Sequence, residues 1–347
     1  DEMFISLMKS SYSTNIKERK DHSTALFDKN GRVVVQGESM PLHLASMLGL
    51  VEIVLEKYGE KNINPGDVFL SNDPYVGKGS HLPDVAMAAP IFYDNQLLLF
   101  VCNIAHHADI GGMSPGSMAG GMTEIYQEGL RIPPIRLFKS GKLMEDVMDM
   151  ILLNVRVPEE RRGDYNAQIA SNKLGIKRCL DLIKKWGPKN IDEGCDVIIK
   201  SVAKRTRNSV SNLPDGTYTF EDIVDDDGLS RKNIALKVSI MVKKDQIIFD
   251  FTGTDPQVEG NNNVTMAGLQ ACCLYCIKVL LDPDCPQNHG MLDPISIIAP
   301  EGTIVNAAFP SASAARAQTG QRIVDVIFGA LAPACPGNII AAGNGAN

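Results

Sequence analysis

The sequence lacks the features that would place the chain in a membrane or in the secretory pathway. No apolar run reaches the ~18 to 20 residues that a membrane-spanning helix requires. The first residues, DEMFISLMKSSYSTN, have neither the basic start nor the apolar middle and cleavage pattern of a signal peptide. The 8 cysteines among 347 residues are too sparse for a disulfide scaffold. We therefore expect a cytoplasmic protein with reduced thiols and no membrane contact.

An excess of basic charge is also absent. The formal net charge is -7 at pH 7, and lysines and arginines alternate with acids, as in KERKD and PEERRGD. This pattern argues against a broad nucleic-acid-binding surface. With 44% apolar and 22% charged residues, the chain is of a globular type that can bury a substantial core.

A loop of Walker A spacing is missing as well. The segment GKGS at 77–80 has no glycine five residues upstream and no Lys-Ser or Lys-Thr pair, so we expect no ATP binding through a P-loop. The glycine-rich segments NDPYVGKGSH and GGMSPGSMAGG are loops by composition. They could cradle a phosphate or carboxylate, or they could serve tight turns between strands.

Residue patterns predict a mixed α+β fold with sheet-rich lobes flanking a central helical segment. Asn30-Gly31 and Asp94-Asn95 each lie between alternating segments typical of hairpin strands. From residue 144 to about 209 the pattern is helical, with breaks at Pro158 and at WGPKN. Strand patterns return after that, with further helices near 265–281 and 318–332.

This order of patterns suggests three parts. We predict an α+β metal-site domain at 1–140, a helical segment at 141–212 and a second α+β domain at 213–347. The chain starts inside a helical pattern and stops at AAGNGAN, so we expect it to be a piece of a longer polypeptide with a truncated C-terminus.

Three of the 6 histidines lie close together, each with a carboxylate nearby. His81 precedes Asp84 in SHLPDV, and a turn stiffened by the intervening proline can direct both side chains into one cavity. Imidazole with carboxylate is a ligand mixture that suits zinc, manganese or iron. A second imidazole, and thus a third ligand, would come from AHHAD, at the end of the predicted strand 97–105. A hydrogen-bonded structural role for each histidine is the alternative, and the spacing alone does not decide between them.

The adjacent pair His106 and His107 cannot both reach one ion. Side chains alternate between the two faces of a strand, so these imidazoles point in opposite directions. At most one of them is a ligand of an ion held by His81 and Asp84.

Downstream, the segment TEIYQEGLRIPP adds Glu124, Glu128 and Arg131. These residues could bind substrate or form a solvated segment, and we interpret each of them, taken singly, as solvated. Three cysteines in CCLYC fall on a helical pattern rich in leucine and isoleucine, which favours buried free thiols over metal ligands.

Six blocks of sequence form a pattern from the first residues to the last: ERKDHSTALFD, LSNDPYVGKGSHLPDVAMAAPIF, AHHADIGGMSPGSM, TEIYQEGLRIPP, DFTGTDPQVEGNNN and PEGTIVNAAFP. In this order they resemble successive blocks of the hydantoinase B/oxoprolinase family. That family includes N-methylhydantoinase beta subunits and the related subunits of acetone and acetophenone carboxylases. Its members are typically longer than this chain.

The resemblance implies a metal centre with four ligands. They are the aspartate of the R-x-D block, here Asp21, the histidine and aspartate of HLPD, here His81 and Asp84, and the first histidine of AHHAD, here His106. The spacing of the residues indicates the last three of these, whereas Asp21 is implied by the resemblance alone. The implied cofactor is one divalent ion of zinc, manganese or iron.

Catalytic support is predicted at His107 and Asp109. His107 would either orient a ligand carboxylate by a hydrogen bond or contact the substrate near Asp109. One departure from the family is VQGESMPLHL, where many relatives carry a histidine near Glu38 or Ser39. This leaves the pocket wall beside His43, and hence the substrate, undetermined.

The resemblance also implies a cytoplasmic hetero-oligomer. A hydantoinase A-type partner would bind ATP and activate a small-molecule substrate, which accounts for the missing P-loop. Three functions stay open at this point: a metal-dependent subunit of a cyclic amide hydrolase, a subunit of a ketone carboxylase, or a structural subunit whose metal only fixes the loops at 81–109. We favour the hydrolase because it is the broader family designation.

Overall fold

The structure, a computed structural model, describes residues 1–37, 40 and 43–343. The strands are β1 (His22–Asp28), β2 (Val33–Gln36), β3 (Val68–Ser71), β4 (Asp84–Tyr93), β5 (Gln96–His106), β6 (Ile135–Lys139), β7 (Lys142–Leu143), β8 (Gly216–Asp226), β9 (Lys232–Lys243), β10 (Gln246–Asp250) and β11 (Ile295–Ile298). The α-helices are α1 (Glu2–Ser10), α2 (Thr14–Lys17), α3 (His43–Ser46), α4 (Leu50–Tyr58), α5 (Ile125–Glu128), α6 (Glu145–Leu153), α7 (Pro158–Trp186), α8 (Pro188–Val210), α9 (Met266–Leu281) and α10 (Arg316–Leu331). Short 3-10 helices lie at Glu60–Asn62 and His289–Leu292.

The chain divides into two compact units. The first unit comprises Asp1–Ser117 and Gly129–Ile199, and the second comprises Met118–Glu128 and Lys200–Asn347. Residues 118–128 therefore belong to the second unit, although the chain on both sides of them belongs to the first.

The first unit contains a seven-stranded sheet in the order β2-β1-β5-β4-β3-β6-β7, with antiparallel neighbours. The predicted hairpins β1–β2 and β4–β5 are both confirmed. Asp94 and Asn95 have φ values of 48° and 62°. Positive φ at both central residues is the backbone geometry that allows a two-residue turn between twisted strands.

One face of this sheet is apolar and is covered by α4. Alternate residues of β1, β4 and β5 pack there against the helix. The buried set includes Ala25, Phe27, Ala86, Ala88, Phe100, Cys102, Ile104, Leu50, Val51 and Val54. Continuing the alternation toward the same end of the three strands brings Asp21 beside β1, Asp84 to the start of β4 and His106 to the end of β5. Asp21, Asp84 and His106 thus lie on the same side of the sheet as the apolar residues, beyond one end of the apolar face.

The opposite face of the sheet packs against α1 and α7. Ala105 on β5 lies there in a small cluster with Leu7, Ile16 and Ala167. The helix α7 starts at Pro158, where the missing backbone N–H costs nothing because first-turn N–H groups have no partner within the helix. The predicted breaks at Pro158 and at Gly187-Pro188 are confirmed, since α6, α7 and α8 are separate helices.

The second unit contains a four-stranded sheet in the order β11-β10-β9-β8, in which β10 and β11 are parallel and the other neighbours antiparallel. α10 packs on β8 and β9, and α9 packs on α10. A Cβ added at Gly329 of α10 would lie 2.7 Å from the Phe220 ring of β8, so glycine permits this close approach. The predicted α+β class is confirmed by the two sheets and the helices between them in the chain.

The apolar helix α9 carries the three clustered cysteines. Cys272, Cys273 and Cys276 are buried free thiols, as predicted, and burial raises their pKa values. Neither α9 nor any other helix in the described parts of the chain is long and apolar enough to cross a membrane.

Candidate metal centre

Strand register brings the predicted ligands together at one end of the sheet in the first unit. Asp84, the first residue of β4, pairs directly with His106, the last residue of β5. The backbone N–H of His106 donates to the carbonyl oxygen of Asp21, which precedes β1. Because β1, β5 and β4 are neighbours in the sheet, the three predicted ligands lie at the same end of these strands.

The side chains of His81, Asp84 and His106 converge on one point. His81 Nε2 lies 2.9 Å from Asp84 Oδ1, and His106 Nδ1 lies 3.0 Å from the same oxygen. One ligand atom from each of the three residues lies within 4.8 Å of the others. All three side chains are buried. They form a compact donor set shielded from bulk water.

Asp21 lies at the edge of this set. Its Oδ2 is 3.8 Å from His106 Nδ1, and its side chain is 14% exposed, compared with 1% for Asp84. The structure thus places all four residues of the implied ligand set together, with Asp21 nearest to solvent.

The carboxylate of Asp84 is held in a fixed orientation. The Ser80 hydroxyl donates to Asp84 Oδ2 over 2.8 Å, which leaves Oδ1 toward the two imidazoles. The backbone N–H of Asp84 donates to the carbonyl of His81 over 3.3 Å, closing the predicted turn at HLPD.

A third imidazole, His43 at the start of α3, joins the cluster, although the sequence does not predict it as a ligand. Its Nε2 lies 3.6 Å from Asp21 Oδ1 and 3.8 Å from Asp84 Oδ2. Its Nδ1 lies 2.9 Å from the Ser23 hydroxyl, which fixes the ring. No local spacing signals this position, because His43 reaches the site through the packing of its helix on the sheet. Glu38 and Ser39, near which the sequence departs from the expected family pattern, lie outside the described residues.

The donor chemistry fits a divalent transition metal. Buried imidazole nitrogens and carboxylate oxygens are ligands that zinc, manganese and iron accept. Burying carboxylates away from water costs free energy unless a cation or hydrogen bonds balance their charge. A cation held between Asp84, His81 and His106 would supply that balance, so these residues are suited to hold one.

The two residues predicted to be catalytic, His107 and Asp109, each have hydrogen-bond partners outside the ligand set. His107 is fully buried on the opposite face of the sheet, where its Nε2 is 2.9 Å from Gln168 Oε1 and its ring packs on Tyr165. Burial lowers the pKa of His107 to about 4, so the ring is neutral at pH 7. His106 and His107 do point in opposite directions, as the alternation of a strand predicts.

Asp109 organises the glycine-rich loop that follows β5. Its carboxylate accepts hydrogen bonds from the N–H groups of Gly111, Gly116 and Arg156 and from the Arg156 guanidinium. Burial acts to raise the pKa of Asp109, but these hydrogen bonds outweigh it and lower the pKa. These contacts give Asp109 a role in holding the loop.

The other glycine-rich loop, NDPYVGKGSH, is shaped by close packing. A Cβ at Gly77 would lie 2.3 Å from Ser71 Oγ and 2.6 Å from the Asp73 carbonyl oxygen. The Asp73 carboxylate accepts hydrogen bonds from the N–H groups of Tyr75 and Val76 and from Arg131. These contacts support the tight-turn interpretation of its glycines.

Glu128 is not solvated, so that interpretation of it is wrong. It is fully buried in the second unit, where its Oε1 accepts hydrogen bonds of 2.6 Å from the backbone N–H groups of Ser313 and Ala314. Burial raises the pKa of Glu128 to about 8, against the lowering effects of these hydrogen bonds and of Arg316.

Comparisons with known proteins identify the family. The sequence profile of the family described as hydantoinase B/oxoprolinase matches residues 1–347. The 5-oxoprolinase 1 of Arabidopsis thaliana is 36% identical over 95% of this chain and 28% of the plant protein. A putative D-/L-hydantoinase subunit from Pseudomonas sp. (strain NS671) is 33% identical over 98% of this chain and 60% of the bacterial protein.

Two solved structures share the fold. The ATP-dependent caprolactamase of Pseudomonas jessenii matches with a TM-score of 0.91 and 28% identity, over 97% of this chain and 58% of that chain. The nucleotide-free structure of an acetone carboxylase matches with a TM-score of 0.88 over 99% of this chain and 48% of that chain. At 16% identity, this match shows only that the two proteins share a fold.

The match with the profile covers the whole chain, whereas the chain spans only 60% of the bacterial hydantoinase protein and 28% of the plant oxoprolinase. On this evidence, the chain belongs to the hydantoinase B/oxoprolinase family.

Proposed function

We propose that the chain is the metal-binding part of an ATP-dependent hydrolase of cyclic amides. The observation that carries the proposal is the convergence of His81 Nε2 and His106 Nδ1 on one buried oxygen of Asp84. The relatives named 5-oxoprolinase, hydantoinase and caprolactamase act, by their names, on cyclic amides or imides. They favour hydrolysis over ketone carboxylation, since the likeness to acetone carboxylase extends to the fold alone.

In this proposal Asp21, His81, Asp84 and His106 hold one divalent ion of zinc, manganese or iron. Such an ion would polarise a carbonyl oxygen as a Lewis acid and lower the pKa of a bound water toward ~7. The chain's own residues do the rest: Ser80 orients Asp84, and burial keeps bulk water from the ligands.

We assign supporting roles to the other polar residues near the ligands. His43 faces oxygens of both Asp21 and Asp84, and would keep the two carboxylates in place. His107 and Asp109, which follow the ligand strand β5, would fix the end of that strand and the loop beyond it.

The source of ATP chemistry would be a partner. The sequence has no loop of Walker A spacing, and two relatives, the hydantoinase from Pseudomonas sp. and a caprolactamase from Pseudomonas jessenii, are named as subunits and so as parts of assemblies. We propose a hydantoinase A-type partner that binds ATP and activates the small-molecule substrate in a cytoplasmic hetero-oligomer.

The test combines metal analysis with turnover. The chain, produced together with its partner, is assayed for ATP hydrolysis with hydantoins, 5-oxoproline, lactams, or ketones plus bicarbonate, and its metal content is measured before and after His81→Ala. We expect one divalent ion per chain, lost in the variant together with turnover of a cyclic amide.

Two results would contradict the proposal. Turnover only of ketones with bicarbonate would assign the chain to carboxylation. Full turnover in a metal-free variant would show that the centre has no part in the chemistry.

A further inference from the structure

One buried amide on α7 contacts two ligand strands at once. Gln168 is fully buried on the face of the sheet opposite to the candidate metal centre. Its Nε2 donates to the carbonyl oxygen of Val85 on β4 and to Asn103 Oδ1 on β5, both over 2.8 Å. Its Oε1 lies 2.9 Å from His107 Nε2.

These contacts fix the donor and acceptor of every bond. A backbone carbonyl can only accept, so the Gln168 nitrogen faces Val85 and uses both of its hydrogens there and at Asn103. The Gln168 oxygen must then accept from His107, which places the proton of the neutral imidazole on Nε2. His107 Nδ1 has no hydrogen-bond partner among the described residues, as this tautomer allows.

Two of the residues that Gln168 contacts are sequence neighbours of proposed metal ligands. Val85 directly follows the ligand Asp84, and His107 directly follows the ligand His106. Neighbouring residues share one backbone, so a bond that fixes the Val85 carbonyl or the His107 ring also constrains the backbone from which the side chains of Asp84 and His106 extend to the other face. Gln168 thus binds the residues that follow Asp84 and His106, although its own side chain lies on the face of the sheet away from the ligands.

We propose that Gln168 is a positioning residue of the metal centre, holding β4 and β5 at the spacing that lets Asp84 and His106 share one ion. This inference rests on the proposed function, because it assumes that these residues bind a metal. The supporting residues around metal ligands typically change affinity or activity by ~10- to 100-fold when they are lost.

A purely architectural role, in which Gln168 only fastens α7 to the sheet, makes a different prediction. Asn172, one turn further along α7, is the matched control. It is also buried, and its Oδ1 accepts a 2.8 Å hydrogen bond from Asn103 Nδ2. It does not bond to a residue next to a ligand anywhere in the described chain.

The experiment compares Gln168→Met with Asn172→Leu, each of similar size to the residue it replaces. Zinc affinity is measured by competition with a chromophoric chelator, and the visible absorption of the cobalt(II)-substituted chain reports ligand geometry. We expect a ~10- to 100-fold weaker zinc affinity and an altered cobalt spectrum for Gln168→Met. Asn172→Leu should lower the midpoint of thermal unfolding while keeping the wild-type affinity and spectrum.

Unchanged zinc binding in Gln168→Met, or equal weakening in both variants, would overturn the inference. If Gln168→Met does not fold, the wild-type chain tests the hydrogen-bond assignment on which the inference rests: ¹H–¹⁵N spectra with labelled histidine should show His107 protonated on Nε2, and a proton on Nδ1 would overturn the inference. Failure of the proposed function looks different, since the wild-type chain would then bind no metal or His81→Ala would retain it.

Discussion

Asp84 and Glu128 are both buried carboxyl groups, one in each unit, and they face different partners. Asp84 presents one oxygen to two imidazole nitrogens at 2.9 and 3.0 Å, whereas Glu128 presents one oxygen to two backbone N–H groups at 2.6 Å. Imidazoles and a carboxylate can turn their lone pairs to a shared cation, but an N–H group can only donate. Both carboxyl groups are buried, so it is their hydrogen-bonding partners that distinguish them: Asp84 is a candidate metal ligand, whereas Glu128 binds backbone N–H groups.

The largest expected effect comes from replacing each carboxyl group by its amide. Asp84→Asn should lose stoichiometric metal and all metal-dependent turnover, because the amide cannot supply the negative oxygen that both histidines face. Glu128→Gln should keep full metal content. Elemental analysis of the two folded variants provides the measurement, and metal retained in Asp84→Asn, or lost in Glu128→Gln, would remove the distinction between the two sites.

A smaller effect is expected at His43, which sharpens the contrast within the first unit. His43→Ala removes the imidazole that faces Asp21 and Asp84 but none of the four proposed ligands. Zinc affinity, measured by calorimetry, should fall ~10- to 100-fold while binding stays stoichiometric. Complete loss of binding would make His43 a ligand, and an unchanged affinity would remove it from the site.

Glu128 should make the free energy of unfolding depend on pH. Its pKa is about 8 in the folded chain, above the ordinary 4.5, so folding takes up a proton between these values and its contribution to stability is lost as pH rises through 8. The pKa values of His22 and His107, lowered by burial to about 4, affect stability mainly below pH 6.5 and with the opposite sign.

Between pH 6.5 and 8, the wild-type chain should therefore lose ~1 to 2 kcal/mol of unfolding free energy relative to Glu128→Gln, whose amide does not titrate. Urea unfolding at both pH values measures the difference. A constant difference across this range would mean that Glu128 is already ionised in the folded chain at pH 6.5.

The smallest effect concerns the loop around Asp109. Arg156→Ala removes a guanidinium whose side chain is 41% exposed, although the backbone N–H of residue 156 still donates to Asp109. We expect about 1 kcal/mol of destabilisation in urea unfolding and unchanged metal content, because a partly exposed ion pair contributes little. Metal loss in this variant would mean that the loop belongs to the centre.

Local sequence predicts the frame of the site, and long-range packing supplies the remainder. The turn at Asp94-Asn95, the helix breaks at prolines and the alternation of His106 and His107 all follow from neighbouring residues. His43 contacts Ser23, 20 positions away, and Gln168 contacts His107, 61 positions away. No periodicity in the sequence connects such pairs, because their proximity arises only when helices pack on the two faces of the sheet.

Glu128 escaped prediction for a related reason. The segment around it is short and polar, a composition typical of a solvated connection. Its burial depends on residues 313 and 314, 185 and 186 positions away. The composition of this segment therefore does not distinguish an exposed surface loop from a buried segment that is hydrogen-bonded to a distant part of the chain.

Because residues 118–128 belong to the second unit, cutting the chain after Ile199 does not isolate the first unit cleanly for expression. A fragment ending at Ile199 would look like a complete lobe with its metal ligands, yet it would carry Met122 and Glu128 without their packing partners. Met118 and Met122, exposed without Ala312 and Ala314, would form an apolar patch that favours aggregation. A soluble metal-binding fragment therefore requires replacement of residues 118–128 by a short polar linker as well as a new C-terminus.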